Sequence, residues 1–318
     1  MKNITVLPVL VIIFLFSAVN TVFCQEPSEE AKKERKYSFS FGPLAGFVHG
    51  QSFEYVYQAG DSGELLSELV WDMKPVFYLG ARFDFSRSDI MSDYGFFSSL
   101  QFKAASPADS GIMEDRDWDW NMSQNKSLTN YSRHTNKTLK FFWFDICAGA
   151  SFPIADLFYI KPLLAFSWMH FSFSASDGYK SYMSENWNIY TFRGEVITYR
   201  QNWFLVSPGV SIGAQIGSLL QFELSFKYTP LTYCAAVDNH LDPRKTIEYF
   251  DYTGWGNFVE PSGAVSLKLD KADITLEFAC RKIGRTVGNT YVNSFQVSNK
   301  SGAALSLIDA SIIFKIII

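Results

Sequence analysis

Apolar and polar residues alternate along most of this chain with a period of two. In the clearest case, Leu220, Phe222, Leu224, Phe226 and Tyr228 fall on one face, and Gln221, Glu223, Ser225, Lys227 and Thr229 on the other. Such alternation predicts a β-strand with one apolar and one polar face. Read along the whole chain, the pattern predicts ten strands, over 37–57, 65–85, 94–104, 139–152, 157–175, 189–217, 220–236, 246–269, 274–285 and 303–318. In the last of these, Ile308, Ala310, Ile312, Phe314, Ile316 and Ile318 oppose Asp309, Ser311 and Lys315, so the chain ends in phase with its apolar face. Helical periodicity is nearly absent.

The connections between strands are of two kinds. Short ones fall near 87–93, 153–156, 217–219 and 270–272, and longer polar ones near 58–64, 105–137, 176–188, 237–245 and 286–302. They alternate strictly, long then short. An even strand count with this alternation predicts an all-β fold, a ten-stranded antiparallel transmembrane β-barrel with short periplasmic turns and long extracellular loops. A soluble β-sandwich would explain neither strands of fifteen to twenty residues nor the alternation of turn lengths.

Composition agrees. Aromatics make up 17% of the 318 residues, with 30 Phe and 16 Tyr, which suits girdles at two membrane interfaces. The net charge is −4 and no basic stripe is present, which argues against nucleic acid as a partner. Lys2, an apolar run over 4–19 broken by Pro8, and the charged stretch 26–36 form the layout of a secretory leader. This divides the chain into a signal peptide over 1–24, a charged flexible segment over 25–35, and a barrel with catalytic loops over 36–318. Cleavage is placed after Cys24. Acylation of Cys24 is the alternative, although Thr21-Val22-Phe23 lacks the small residue that usually precedes such a cysteine. Cys147, Cys234 and Cys280 are odd in number, and none has metal-ligand spacing.

Two polar stretches could carry chemistry. Residues 111–120 read G-I-M-E-D-R-D-W-D-W, with Asp115 and Asp117 two apart. Residues 233–243 read Y-C-A-A-V-D-N-H-L-D-P, with Asp238 and His240 two apart. On extended chain each pair shares a face. Four predicted strands separate the two stretches, so both emerge on the same side of the membrane. A carboxylate beside an imidazole fixes its tautomer and raises its basicity. Paired carboxylates polarise a water, and their repulsion raises one of the two pKa values. The plainer readings are ordinary loop residues at 238–240, and at 114–119 a solvated acidic loop or a cation site built of carboxylate oxygens. A serine mechanism fits less well, because Ser132 is not visibly tied to a base–acid pair.

These residues carry a resemblance. The chain resembles the omptins, ten-stranded outer-membrane proteases. The family's D-x-D-W is matched by Asp115-Arg116-Asp117-Trp118, and its D-x-H-x-D-P by Asp238-Asn239-His240-Leu241-Asp242-Pro243. Its S-R-H is matched by Ser132-Arg133-His134, and S-E-L-V-W-D stands at 67–72. The resemblance implies endopeptidase activity near basic residues, in the outer membrane with the site facing out. It gives His240 the role of general base, oriented by Asp238. Asp115 shares the attacking water, and Asp117 supports Asp115. Ser132 and His134 are supporting candidates, and Glu54 is an acid of the substrate cleft. It implies peptide or protein substrates and an outer-membrane lipid setting, with no metal or organic cofactor.

The chain departs from the family at three places. Ala236 stands where a second cleft acid is implied, and Asn130 where an acid on the leaving-group side is implied. The lipopolysaccharide-gripping patch on the outer wall corresponds to 166–170, F-S-W-M-H, which is aromatic and poor in charge. A lipopolysaccharide requirement therefore loses its basic grip here. The alternative to a protease is a non-enzymatic barrel of the same fold, an adhesin or receptor.

Overall fold

The computed structural model describes residues 35–58, 63–89, 94–118, 127–155, 157–242, 245–292 and 294–318. The signal peptide over 1–24 and nearly all of the segment over 25–35 lie outside these, as do Asp119, Trp120 and Pro243. In chain order the strands are β1 (Arg35–Tyr57), β2 (Leu65–Asp89), β3 (Gly95–Ala105), β4 (Ala108–Asp117), β5 (Asn130–Ala155), β6 (Phe158–Tyr182) and β7 (Ile189–Ile216). They continue as β8 (Leu220–Thr229), β9 (Thr232–Asp242), β10 (Lys245–Gly254), β11 (Phe258–Lys268), β12 (Ala272–Ile283), β13 (Val287–Val292) and β14 (Phe295–Ile317).

Every pairing is antiparallel, and β14 returns to β1, from Ser40 opposite Ile317 to Tyr57 opposite Lys300. The sheet is therefore closed. Four barrel strands are each built of two segments in series, β3 with β4, β8 with β9, β10 with β11, and β12 with β13, so among the described residues fourteen segments make ten staves. The breaks have local causes. Pro107 and Pro230 lack the N–H that the ladder needs. The other two breaks hold Gly256 and Gly284, whose amides donate to Thr232 Oγ1 at 2.8 Å and to the Asn257 carbonyl at 2.9 Å. Thr232, Gly256, Gly284 and Thr286 thus form a seam between a lower β8–β11–β12 sheet and an upper β9–β10–β13 sheet.

Outward from the lower sheet point Leu220, Phe222, Leu224 (72% exposed), Phe226 and Tyr228, together with Ile308, Ile312, Phe314 and Ile316 of β14. Exposed apolar surface on this scale belongs in lipid. At about 3.3 Å per residue and a tilt of about 40°, a strand of β5's length rises about 65 Å, whereas the apolar band needs only about 25 Å. The rest stands above the membrane. There the outer face no longer meets lipid, so the period-two signal fades although the ladder continues. For this reason much of the polar sequence at 105–137 and 237–245 is paired strand: β4, the start of β5, and β9 as far as Asp242.

An aromatic layer crosses the lumen, and below it lies a cavity of about 550 Å³. Trp71 stacks on Phe173 and Tyr199, both at 5.6 Å, within a buried layer that includes Phe141, Phe171, Met73, Met113 and Trp203. Below that layer the inward side chains are charged and paired: Lys161 with Glu223 at 2.7 Å, Lys227 with Glu260 at 2.8 Å, Lys315 with Asp84 at 2.8 Å, and Lys103 with Asp309. Arg281 pairs with Glu260 and Asp145 and lies over the Trp143 ring at 3.7 Å. Buried charges persist only when paired in this way.

Candidate active site

The two Asp-bearing motifs lie on separate staves that look at one another across the mouth. β4 is held on both edges: Asp115 stands opposite Leu69 of β2 and Ser132 of β5, and Asp117 opposite Ser67 and Asn130. Two apart on a strand, both carboxylates take the lumen face. The Ser67 hydroxyl donates to Asp115 Oδ1 at 3.1 Å, and Asn130 Nδ2 donates to Asp117 Oδ2 at 3.2 Å. β4 begins at a bulge whose Gly111 has φ +112°. A Cβ there would lie 2.8 Å from the Asp72 side chain. Asp72 in turn accepts from the Ile112 amide at 3.2 Å and from Gln51 Nε2 at 3.0 Å. That clamp sets the height of β4.

On β9, alternation turns Cys234, Ala236, Asp238 and His240 to the lumen. His240 Nε2 meets Asp238 Oδ2 at 2.6 Å. The Asp238 side chain is only 4% exposed and that of His240 48%, so the carboxylate is sealed while the imidazole reaches solvent. With Nε2–H donated to Asp238, Nδ1 is the nitrogen left for a water. Tyr249, directly opposite Asp238, sets its ring edge against the imidazole at 5.6 Å.

These groups lie well above the apolar band, and their titration reflects burial and each other. Burial raises Asp115 above the usual carboxylate range, and the charge of Asp117 raises it further, against the Ser67 hydrogen bond. Burial likewise raises Asp117, opposed by hydrogen bonding. For His240, burial alone would favour the neutral ring. The hydrogen bond and charge of Asp238, then the charges of Asp115 and Asp117, outweigh it and raise the pKa. That both aspartates of β4 act on a histidine of β9 places the four in one electrostatic unit.

The other sequence candidates divide. Ser132 shares the lumen face with Asp115. His134 is buried, with Nδ1–H donating to the Asp177 carbonyl at 2.5 Å and its ring set against Phe192, so it braces β5 against β6 rather than joining the dyad. Asn130 supports Asp117. Glu54 of β1 is 3% exposed and faces the same lumen below His240. Its pKa is raised well above normal, first by burial and then by Asp238 and Asp251.

Sequence reading passed over three residues. Ser67 stands within the noted S-E-L-V-W-D, but only pairing shows that it serves Asp115. Tyr249 and Asp251 sit in an unremarkable strand, and only the β9–β10 register brings them to the site.

Comparison with known proteins follows from this geometry. The sequence model of the Omptin family matches residues 35–312. Among solved structures, the outer membrane protease OmpT from Escherichia coli superposes with a TM-score of 0.76 at 18% identity, covering 88% of this chain and 97% of that one. The likeness is one of fold. The Pseudomonas putida toluene transporter TodX aligns at a TM-score of 0.34 and 7% identity, over 89% of each chain. The translocator domain of the Neisseria meningitidis autotransporter NalP aligns at 0.29 and 8%, over 93% of this chain and 92% of that one. Among curated protein sequences none matches.

Proposed function

The chain belongs to the omptin family of outer-membrane proteases, and from that premise we propose that it is an endopeptidase using a water activated between Asp115 and His240. His240 Nδ1 takes a proton from the water, and Nε2–H is held by Asp238. The hydroxide oxygen bonds to the peptide carbonyl carbon. The C–N bond then breaks as His240 returns the proton to the departing amine nitrogen. Asp115 holds the other side of the water. A single proton shared with Asp117 keeps two buried carboxylates from repelling each other outright. No metal or organic cofactor enters this scheme.

The observation that carries the reading is the Asp238–His240 pair at 2.6 Å, with His240 half exposed and Asp238 buried. The substrate is a peptide or protein segment entering from outside the cell. Glu54, buried below the dyad, favours a basic residue beside the scissile bond.

The test is cleavage of a quenched-fluorescent peptide library by refolded protein, with and without lipopolysaccharide. Wild type runs beside Asp115→Ala and His240→Ala. Loss of about 100-fold or more in each variant is expected for a general base and its partner. The same background from all three proteins, with or without lipid, would refute the protease reading and leave a binding barrel.

A further inference from the structure

Ala236, Asp238 and His240 point into the lumen in sequence. Their cross-strand partners on β10 are Asp251 opposite Ala236, Tyr249 opposite Asp238, and Ile247 opposite His240. Directly opposed residues share a face, with Cβ atoms about 5 Å apart. Asp251 therefore occupies the level at which a side chain longer than alanine would project from position 236. That level is two residues, about 7 Å, inward of Asp238, a span that an extended lysine or arginine side chain covers.

Asp251 is 4% exposed and Glu54 3%, and each keeps one buried carboxylate oxygen, Oδ1 and Oε2, without a hydrogen-bond partner. The buried Oδ1 of Asp238 is likewise unmatched. The charged groups acting on Glu54 are Asp238, Asp251 and Asp115, and the one acting on Asp251 is Asp238; all are negative. Among the described residues, no lysine or arginine pairs with Glu54 or Asp251. This contrasts with the lower lumen, where buried carboxylates face cations. Unmatched buried carboxylates are costly unless a cation arrives from outside the chain.

We propose that Asp251 is a specificity-determining residue, which together with Glu54 binds the ammonium or guanidinium of a basic substrate side chain in a pocket beneath the dyad. Two carboxylates from different staves, β1 and β10, offer separate acceptors to a planar guanidinium or a compact ammonium. Burial, against the pull of Thr290 and Ser301 and with Asp238 adding to it, pushes Asp251 up to about 6, so Asp251 is charged at neutral pH, while burial and the neighbouring carboxylates hold Glu54 well above its usual range. The shortening of residue 236 to a methyl group leaves the space in which Asp251 works.

The proposal deepens the protease reading, and its test separates the two. Paired peptides differ only beside the scissile bond, arginine against citrulline and lysine against norleucine. Wild type is expected to favour the charged member in kcat/KM. Asp251→Asn should cut that ratio at least tenfold, as should Asp251→Ser, which removes the charge with a different shape. Ala236→Asp added to Asp251→Asn should restore it, because the two positions are directly opposed. Binding of p-aminobenzamidine, followed by fluorescence, needs no hydrolysis. In an Asp115→Ala background, Asp251→Asn should weaken it at least tenfold. Unchanged ratios and unchanged benzamidine affinity in both Asp251 variants would overturn the proposal. No cleavage by wild type, with benzamidine binding still dependent on Asp251, would uphold the pocket and sink the protease.

Discussion

Asp117→Asn tests the shared-proton arrangement most directly. Asp115 and Asp117 occupy one face of β4 two residues apart, about 7 Å along the strand. At an effective dielectric of about 20, two unit charges at that distance repel by about 2.4 kcal/mol, or about 1.7 pKa units. Burial is the first cause of the raised Asp115 pKa and survives the substitution; the Asp117 charge is the second and does not. The alkaline limb of kcat/KM, where the pair loses its proton, should therefore move toward lower pH by one to two units. The acid limb belongs to His240, whose pKa is raised by Asp238 first and by Asp115 and Asp117 less. It should move slightly in the same direction. The assay is the pH dependence of kcat/KM on one quenched peptide, from about pH 5 to 10. Stability gives a second readout. The raised carboxyls and the raised imidazole both stabilise the fold at low pH, and that stabilisation is lost as pH rises through their folded pKa values. Heat resistance in detergent should thus decline on the alkaline side, and less so in Asp117→Asn. An alkaline limb that stays within about 0.3 unit of wild type, or moves upward, would refute the shared proton.

Two further substitutions probe what holds the site up. Gly111→Ala forces a Cβ to 2.8 Å from Asp72 at a backbone φ of +112°; kcat/KM should fall about tenfold or more as β4 shifts, while gel mobility still reports a closed barrel, and wild-type rates would refute a positioning role for the bulge. Arg281→Met leaves Asp145 and Glu260 without their shared cation, although Lys227 still holds Glu260 at 2.8 Å. Unfolding in urea should show a loss of about 3 kcal/mol, and unchanged stability would show the lumen charges to be interchangeable with an apolar filling.

How much of this was legible in the sequence depended on where the chain meets lipid. Leu220 to Tyr228 and Ile308 to Ile316 have one face in the bilayer and one in the lumen, so their alternation is strict and their strands read correctly. On β12 the same alternation sets buried Arg281 against outward Phe278. Above the band, at 108–117 and 232–242, the outer face no longer meets lipid and the inner face mixes apolar Met113, Cys234 and Ala236 with carboxylates. Nothing forces alternation there, and ladder reads as loop. Asp238 and His240 could still be paired on paper, since period two holds on any extended segment. Asp251 could not be read. Its importance rests on the register that sets it against Ala236, and register is a property of two strands, not of one.

The same strand architecture bears on why the chemistry sits where it does. A loop would let Asp115 and His240 drift, whereas β4 is bonded on both edges and β9 is bonded to β7 and β10. The seam at Thr232, Gly256 and Gly284 lets the upper sheet change course without opening the barrel. Beneath the site, the Trp71–Phe173–Tyr199 stack crosses the lumen. On the proposed reading, water and substrate meet the dyad from outside, and the unpartnered carboxylate oxygens of Glu54, Asp238 and Asp251 direct their field toward that end. On the same reading, a positively charged peptide segment is drawn to that end before any contact is made.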